Sequence, residues 1–476
     1  MITRPHHLIK PTIWLILLFF LAACRQPETA SVAPPAAPTM VAVDQPSAEP
    51  TALPFIDPAD WPPAEPGTIS VDASVRHGPI SPLIFGTNHG PWTAVPVNYL
   101  EEANNVGVTL LRWPGGEFGD ENNVTETDID RFMALARQIG AEPHIQARLR
   151  NGTPEQAAEL VRYINIEKEY GVRYWAVGNE PNLFPEAEYD LERFLADWRA
   201  IGEAMLAVDP TIQLVGPEIT GYLAPPATDP FTMEAREWME AFLRANGDLV
   251  DVVSIHRYPL PVSMMADSTT IEQLGRTSEE YDTMLPDLRV MVRETTGRDI
   301  PLAVTEFNSD WTKAAQGEAT PDSLANAVWL ADVLGRLMEQ DVLIGGHFVL
   351  ASRGSLGSWG LLGPEGPRPS YYVYPLLRHF GTELIYAAAG HPWVSAYAGL
   401  NGNGGLTILI PNRGTDAAQL SLSLAGHPGG TASIYRLSAE RVETGTVNEP
   451  AETAEITDGT ILDIPAQSVT LIVIGQ

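Results

Sequence analysis

Tyr174-Trp175-Ala176-Val177-Gly178-Asn179-Glu180-Pro181 is an apolar strand that runs through a glycine and stops on a carboxylate. Ala303-Val304-Thr305-Glu306-Phe307-Asn308 repeats the arrangement further along the chain. A run that is apolar without alternation belongs to a strand covered on both faces, as in a parallel sheet wrapped by helices. A glutamate closing such a strand is costly to bury unless it has a partner or a task. The two segments therefore suggest a parallel sheet whose carboxyl ends carry the chemistry.

Outward from these segments, short apolar strands alternate with amphipathic helices between residues 80 and 380. The strands read as Leu83 to Asn88, Val108 to Trp113, Pro143 to Arg148, Arg173 to Glu180, Ile212 to Pro217, Leu249 to His256, Leu302 to Glu306 and Leu343 to Val349. Leu191, Leu195, Trp198, Ile201, Met205 and Val208 lie on one helical face. Thr153-Pro154-Glu155-Gln156 is a capping box with proline in the first turn. Eight strand and helix pairs over roughly 300 residues predict a (β/α)8 barrel. A doubly wound sheet would open on a Gly-rich phosphate turn, whereas Phe85-Gly86-Thr87-Asn88 begins no such helix.

Beyond the barrel the period changes to that of strands and turns: Leu406 to Ile410, Leu420 to Leu424, Ile434 to Leu437, Ile461 to Ile464 and Val469 to Ile474. Leu-Ser alternation at 420–424 gives one buried and one wet face, so 381–476 reads as a β-sandwich. Residues 67–79 alternate as well and are expected to join that sandwich as an N-terminal strand.

The opposite end is of another kind. Arg4, His6, His7 and Lys10 precede the apolar run Thr12 to Leu21, which is too short to cross a bilayer and ends in Leu21-Ala22-Ala23-Cys24. Residues 1–23 are expected to be an export signal. The small residues before Cys24 resemble the lipobox of bacterial lipoproteins, which implies cleavage before Cys24, acylation of its thiol and a membrane-anchored, extracellular protein facing away from the cytoplasm. Residues 24–66 are rich in proline, with eleven between 25 and 66 and no apolar period, and read as a disordered tether.

Composition excludes several functions. Cys24 is the single cysteine, so neither disulfides nor thiolate catalysis is available. A formal net charge of −31 disfavours nucleic acid and anionic membrane surfaces as partners; membrane contact is expected through the lipid anchor alone. The ten histidines show no His-x-x-x-His spacing, so no metal and no other cofactor is expected. No protein partner is expected either.

The two strand-end glutamates supply what glycoside cleavage requires. Glycoside cleavage needs one neutral acid to protonate the departing oxygen and one anion to attack the sugar carbon. Glu180 at the end of the fourth strand and Glu306 at the end of the seventh face each other across a barrel. A retaining mechanism requires their carboxyls about 5 Å apart, with Glu180 raised in pKa and Glu306 ionised. His256 and Tyr258 point the same way from the sixth strand, the tyrosine toward Glu306 and the histidine toward a carboxylate or sugar hydroxyl. Arg112 opens Arg112-Trp113-Pro114-Gly115-Gly116-Glu117 and can hold Glu306 anionic. Sugar rings stack on aromatic faces, and Trp92, Trp113, Trp311 and Trp359 follow strand ends or lie in the loops beyond them. Trp359, in a Gly-rich loop, is the preferred platform, and Trp175 is assigned to the core. Taken singly, either glutamate could be a salt-bridged rim carboxylate and His256 a satisfied core histidine.

Asn179-Glu180-Pro181, His256-x-Tyr258 and Glu306 together resemble the retaining (β/α)8 glycoside hydrolases of clan A, over residues 67 to 476. The resemblance implies that Glu180 is the acid/base and Glu306 the nucleophile. It further implies that Asn179 binds the sugar 2-hydroxyl and that Arg112, His256 and Tyr258 support the pair. Within the clan, Arg112 to Gly116 resembles α-L-arabinofuranosidases, which usually continue with Asn where this chain has Glu117. Ile80 to Asn88 and Thr305 to Asn308 are more similar to endoglucanases acting on cellulose, xyloglucan or mannan. The length and sandwich suit β-xylosidase-like families. Asn88 and Glu117 are accordingly counted among the binding or supporting residues. The competing reading is a lipid-anchored carbohydrate-binding protein without turnover, which has no need of two glutamates at strand ends.

Overall fold

The computed structural model describes residues 61–475, apart from 186–188, 227–228, 262–267, 313–314 and 355. The leader 1–23, Cys24 and the tether up to residue 60 lie outside the described residues. The last six tether residues are described, and they correct the expected boundary. Trp61 packs edge-on against His77 and Tyr386, and the Tyr386 hydroxyl donates to the Pro62 carbonyl at 2.6 Å. An aromatic ring with apolar surface to cover ends the tether sooner than its proline content suggests.

Strand β1 (Thr68–Pro79) precedes the barrel in the chain. β2 (Gly86–Asn88), β3 (Leu110–Trp113), β4 (Glu142–Ala147), β5 (Tyr174–Val177), β6 (Gln213–Thr220), β7 (Val252–Arg257), β8 (Leu302–Phe307) and β9 (Ile344–His347) close in that order into a parallel barrel. All eight expected barrel strands are present. The first is shorter than expected because 82–85 turn as a 3₁₀ helix capped by Ser81. The Thr153 capping box forms with Pro154 in the first turn. Helix Leu191–Val208 buries Phe194, Trp198, Ile201 and Met205, while Leu191, Leu195 and Val208 lie at the margin of that stripe.

The barrel interior is layered. Leu110, Tyr174, Val215, Val252, Ala303 and Ile344 form an apolar plug at one level. Further along the same strands the inward positions become polar, with Asn88, Arg112, His144, Ser254 and Thr305 fully buried. A packed floor beneath and polar groups above place the chemistry at the carboxyl rim.

After the short hairpin β10 (Leu362–Gly363) and β11 (Gly366–Pro367) come β12 (Glu383–Ala389), β13 (Tyr397–Leu400), β14 (Leu406–Asn412), β15 (Ala418–Ala425), β16 (Gly430–Leu437), β17 (Glu452–Ile456), β18 (Ile461–Ile464) and β19 (Ser468–Ile474). With β1 they form one mixed sheet of nine strands, β17-β16-β19-β14-β13-β12-β1-β15-β18. The expected sandwich is thus a single hydrogen-bonded sheet curled over one core, in which β15 residues Leu420 and Leu422 share a cluster with Ile434 and Ile472. β1 joins it as expected, antiparallel to β12 and parallel to β15. β12, β13 and β17 carry no clear alternation and were not anticipated. The central strands β14 and β19 are buried throughout because Leu409, Leu471 and Val473 on their second face pack into the barrel's core. β15 alternates between buried and more exposed positions because its second face meets water. No helix among the described residues is long and apolar enough to cross a membrane.

Candidate active site

Glu180 sits three residues beyond β5 in a left-handed conformation, φ 46° and ψ 52°, which costs about 1–2 kcal/mol for a non-glycine residue. Gly178 makes the approach possible: its φ is +82°, and a Cβ there would lie 2.6 Å from Leu149 Cδ2. Glu306 lies within β8, where a register irregularity follows Val304. Ala303 belongs to the inner plug, Val304 and Phe307 to the outer core, and both Thr305 and Glu306 turn inward between them. Bulges re-aim side chains in this way beside active sites.

The two carboxylates meet at the barrel mouth. An oxygen of Glu180, one of Glu306 and a ring nitrogen of His256 all lie within 4.8 Å of one another. Arg112 Nη1 donates to Glu306 Oε2 at 2.9 Å and the Tyr258 hydroxyl donates to Oε1 at 2.8 Å. Burial and the neighbouring Glu180 push the Glu306 carboxyl up from its ordinary value, while His256, Arg112 and Tyr258 pull it down. Both its oxygens face donors, which leaves no place for a carboxyl proton, and we read Glu306 as ionised. Burial holds Tyr258 well above its usual range, so it remains a donor.

Arg112, fully buried, is the hub. Nη1 also donates to Asn88 Oδ1 at 2.8 Å, and Nη2 donates to Asn179 Oδ1 at 2.8 Å and pairs with Glu218 Oε2 at 2.7 Å. Asn88 Nδ2 is tied to the carbonyls of Thr305 and Gly346, so Asn88 anchors the arginine. Asn179 Nδ2, by contrast, is buried with no partner among the described residues.

Two carboxylates of this region escaped sequence reasoning. Glu218 is fully buried, its oxygens taken by Arg112, by His256 Nε2 at 2.8 Å and by the Thr305 hydroxyl at 3.0 Å. Burial opposes its charge, yet Arg112 and His256 hold it well below the carboxylate range. Glu218 was hidden because strict alternation from the inward Val215 would send it outward. A register shift after Gly216 and a φ of 61° at Glu218 reverse the faces. The carboxylate following a Gly-Pro pair at the end of an apolar strand was the available signal. Asp120 accepts from the backbone N–H groups of Leu149, Arg150 and Asn179 at 2.7 to 3.0 Å, fixing the turn that carries Glu180. Burial raises Asp120 to about 6 against those three donors. It stands three residues after Glu117, which is exposed at the start of helix Phe118–Glu121 and outside this network.

His256 bridges the acids, Nδ1 3.1 Å from Glu180 Oε1 and Nε2 toward Glu218. Burial works against its charge, but Glu180, Glu218 and Glu306 outweigh it and raise the imidazole to about 9. Both ring nitrogens of His256 are thus engaged by carboxylates, Nδ1 by Glu180 and Nε2 by Glu218.

Around the mouth, Trp92 stacks on Phe348 at 6.2 Å, and Phe348 meets Trp359 edge-on at 5.2 Å and Tyr258 at 6.4 Å. Trp359 is half-buried, with Nε1 bonded to the Asp310 carbonyl at 2.7 Å. Trp311 is 41% exposed, whereas Trp113, stacked on Phe132, and Trp175 are core residues.

No family model matches the chain. By sequence it is 25% identical over 263 residues to an intracellular exo-α-(1→5)-L-arabinofuranosidase of Streptomyces lividans, a match covering 46% of this chain and 38% of that enzyme. The chain thus spans well under half the length of this curated relative. By structure it is similar to an α-L-arabinofuranosidase of Thermotoga maritima, solved as an arabinose complex, with TM-score 0.67 and 20% identity over 85% of this chain and 99% of that one. It is also similar to a family 44 xyloglucanase of Paenibacillus polymyxa, with TM-score 0.64 and 16% identity over 86% and 99%. At such identities the structural likeness is one of fold: a closed (β/α)8 barrel carrying a mostly antiparallel sheet domain.

Proposed function

We propose that the chain is a retaining glycoside hydrolase of the clan A type, with Glu306 as nucleophile and Glu180 as acid/base. The observation that carries this reading is that an oxygen of each carboxylate lies within 4.8 Å of the other's, close enough to serve one glycosidic bond and in keeping with the narrow spacing of a retaining pair. Arg112 and Tyr258 aim Glu306, and the unpartnered Asn179 Nδ2 is free to donate to a sugar hydroxyl beside it. Among substrates, α-L-arabinofuranosides come first, supported by the Streptomyces relative and by Arg112 to Gly116; xyloglucan-type β-glucans come second, supported by the Paenibacillus fold neighbour. We also infer that the enzyme is exported and acylated at Cys24; incorporation of labelled fatty acid into the parent but not into Cys24→Ser tests this.

Glu180→Gln tests the roles. Turnover of glycosides with poor leaving groups should fall on the order of 10²- to 10⁴-fold, and that of activated aryl glycosides far less. Equal loss on both removes Glu180 from the acid role. A reagent that traps the glycosyl-enzyme should label Glu306; a label on another residue, or binding of sugar with no turnover of any glycoside, returns the chain to the carbohydrate-binding alternative.

A further inference from the structure

We propose that Glu218 is a positioning residue that keeps His256 a doubly donating cation and so leaves Glu180 as the one carboxyl of the cluster able to carry the catalytic proton. The proposal rests on the glycosidase reading and concerns a residue two hydrogen bonds removed from the reacting atoms.

The geometry is a closed circuit. Glu180 meets His256 Nδ1, His256 Nε2 meets Glu218 Oε2, the same oxygen pairs with Arg112 Nη2, and Arg112 Nη1 returns to Glu306. The titratable and charged groups facing Glu218 are Arg112 on β3, His144 on β4 and His256 on β7. Those facing His256 are Glu180 beyond β5, Glu218 on β6, Glu306 on β8 and His144. Arg112 lies across the cluster, and Tyr258 stands over Glu306. Burial keeps His144 neutral, lowered to about 3, and neither of its ring nitrogens has a partner among the described residues.

Charge then decides where the proton resides. Arg112 and His256 contribute two positive charges, and Glu218 and Glu306 two negative ones. The buried cluster is neutral when one proton is shared between Glu180 and Glu306, and because both Glu306 oxygens already accept hydrogen bonds from Arg112 and Tyr258, that proton falls to Glu180; a net charge in such surroundings is expensive. In the first step the Glu180 proton moves to the departing oxygen as the Glu306 carboxylate bonds to the sugar carbon and the glycosidic C–O bond breaks. Glu180 is left as an anion facing His256 Nδ1–H. In the second step it recovers a proton from the attacking water as the Glu306–sugar bond opens. Without the Glu218 anion, two cations would face one fixed anion. The Glu180-His256 pair would then release its first proton at lower pH, whichever member loses it.

The test is the pH profile of kcat/KM for Glu218→Gln on a glycoside with a poor leaving group. The alkaline limb should move down by about one pH unit or more, the size expected when a charge within hydrogen-bond reach is removed. Activated aryl glycosides should lose less at neutral pH, and Glu218→Asp should return the limb part of the way. A folded Glu218→Gln whose limb coincides with the parent's overturns the proposal. If that variant does not fold, ring ¹⁵N shifts of the parent decide, with the His256 signals assigned by their loss in His256→Gln. Both nitrogens protonated up to about pH 8 support the proposal, and a neutral His256 ring at pH 7 overturns it. This second readout needs no turnover. A parent that cleaves no glycoside therefore sinks the glycosidase reading and leaves the charge arrangement separately testable.

Discussion

Two buried charge clusters use the same kinds of side chain to opposite effect, one at the barrel's carboxyl rim and one where the barrel meets the nine-stranded sheet. At the junction Asp332, fully buried, lies between Arg336 Nε at 3.1 Å and Arg413 Nε at 3.4 Å and accepts from the Tyr397 hydroxyl at 2.7 Å. Burial opposes the charge of Asp332, but the two arginines overwhelm it and hold the carboxyl well below its ordinary range. The other acids touching those arginines, Asp282 and Glu279, reach solvent with side chains 43% and 44% exposed. At the rim three carboxyls share Arg112 and His256 in near-complete burial, and Asn179 keeps an unused donor. The junction sets one buried carboxylate between two arginines and a tyrosine and ties a helix to a sheet. The rim has one acid more than its cations neutralise, and that surplus is what can exchange a proton.

The largest expected effect separates the clusters directly. Glu306→Ala should cut turnover by about 10⁴-fold or more while Tm stays within a few degrees of the parent, because Arg112 keeps Glu218 as a partner. A collapse of Tm in that variant would make the rim a structural cluster like the junction. Asp332→Asn should do the reverse, costing about 3–5 kcal/mol of stability by removing the one fully buried anion between Arg336 and Arg413, whose remaining acids Asp282 and Glu279 are screened by solvent, with kcat per folded molecule unchanged. Denaturant titration beside an activity assay reads both.

Titration supplies a third contrast. His256 is raised from 6.5 to about 9 in the folded chain, so its contribution to stability is whole below pH 6.5 and is lost as pH rises through 9. The loss should amount to at most about 3 kcal/mol in that window and should be missing from His256→Gln. Asp332 has the opposite sign: lowered in the fold, it stabilises above the unfolded pKa near 4 and loses this only as pH falls below it. A parent whose stability is flat between pH 6.5 and 9 would deny the imidazolium. The smallest effect is expected at Trp359. Trp359→Phe should raise KM a few-fold with kcat little changed, since the ring borders the mouth and its indole N–H is spent on Asp310. A fall in kcat would place this loop closer to the chemistry.

Much of the barrel was legible because its strands are short apolar runs and its helices carry caps. Thr153 to Gln156 specify a helix start by local hydrogen bonds alone. Asn179, Glu180, His256, Tyr258 and Arg112 were legible because each stands near a strand end, where polar residues are conspicuous. Glu117 stands outside the Arg112 network because proximity in sequence to Arg112 does not say which way a turn sends its side chain. Asp120, one helical turn later, points inward instead. The nine-stranded sheet was only half legible. β15 shows its two faces as Leu-Ser alternation, but β12 and β13 combine alanine and glycine with burial that depends on what lies above and below them.

The alternation of strands and helices in the parallel barrel and the two strand-end glutamates follow from the amino-acid sequence alone, because hydrophobic period and turn chemistry act over a few residues. The inward turn of Glu218 and Glu306 was decided by tertiary structure. Strict alternation sends both outward, and register slips against neighbouring strands reverse them. The sharing of Arg112 and His256 among three carboxyls was decided there too, since electrostatic coupling depends on distance through space and is invisible to the order of residues along the chain.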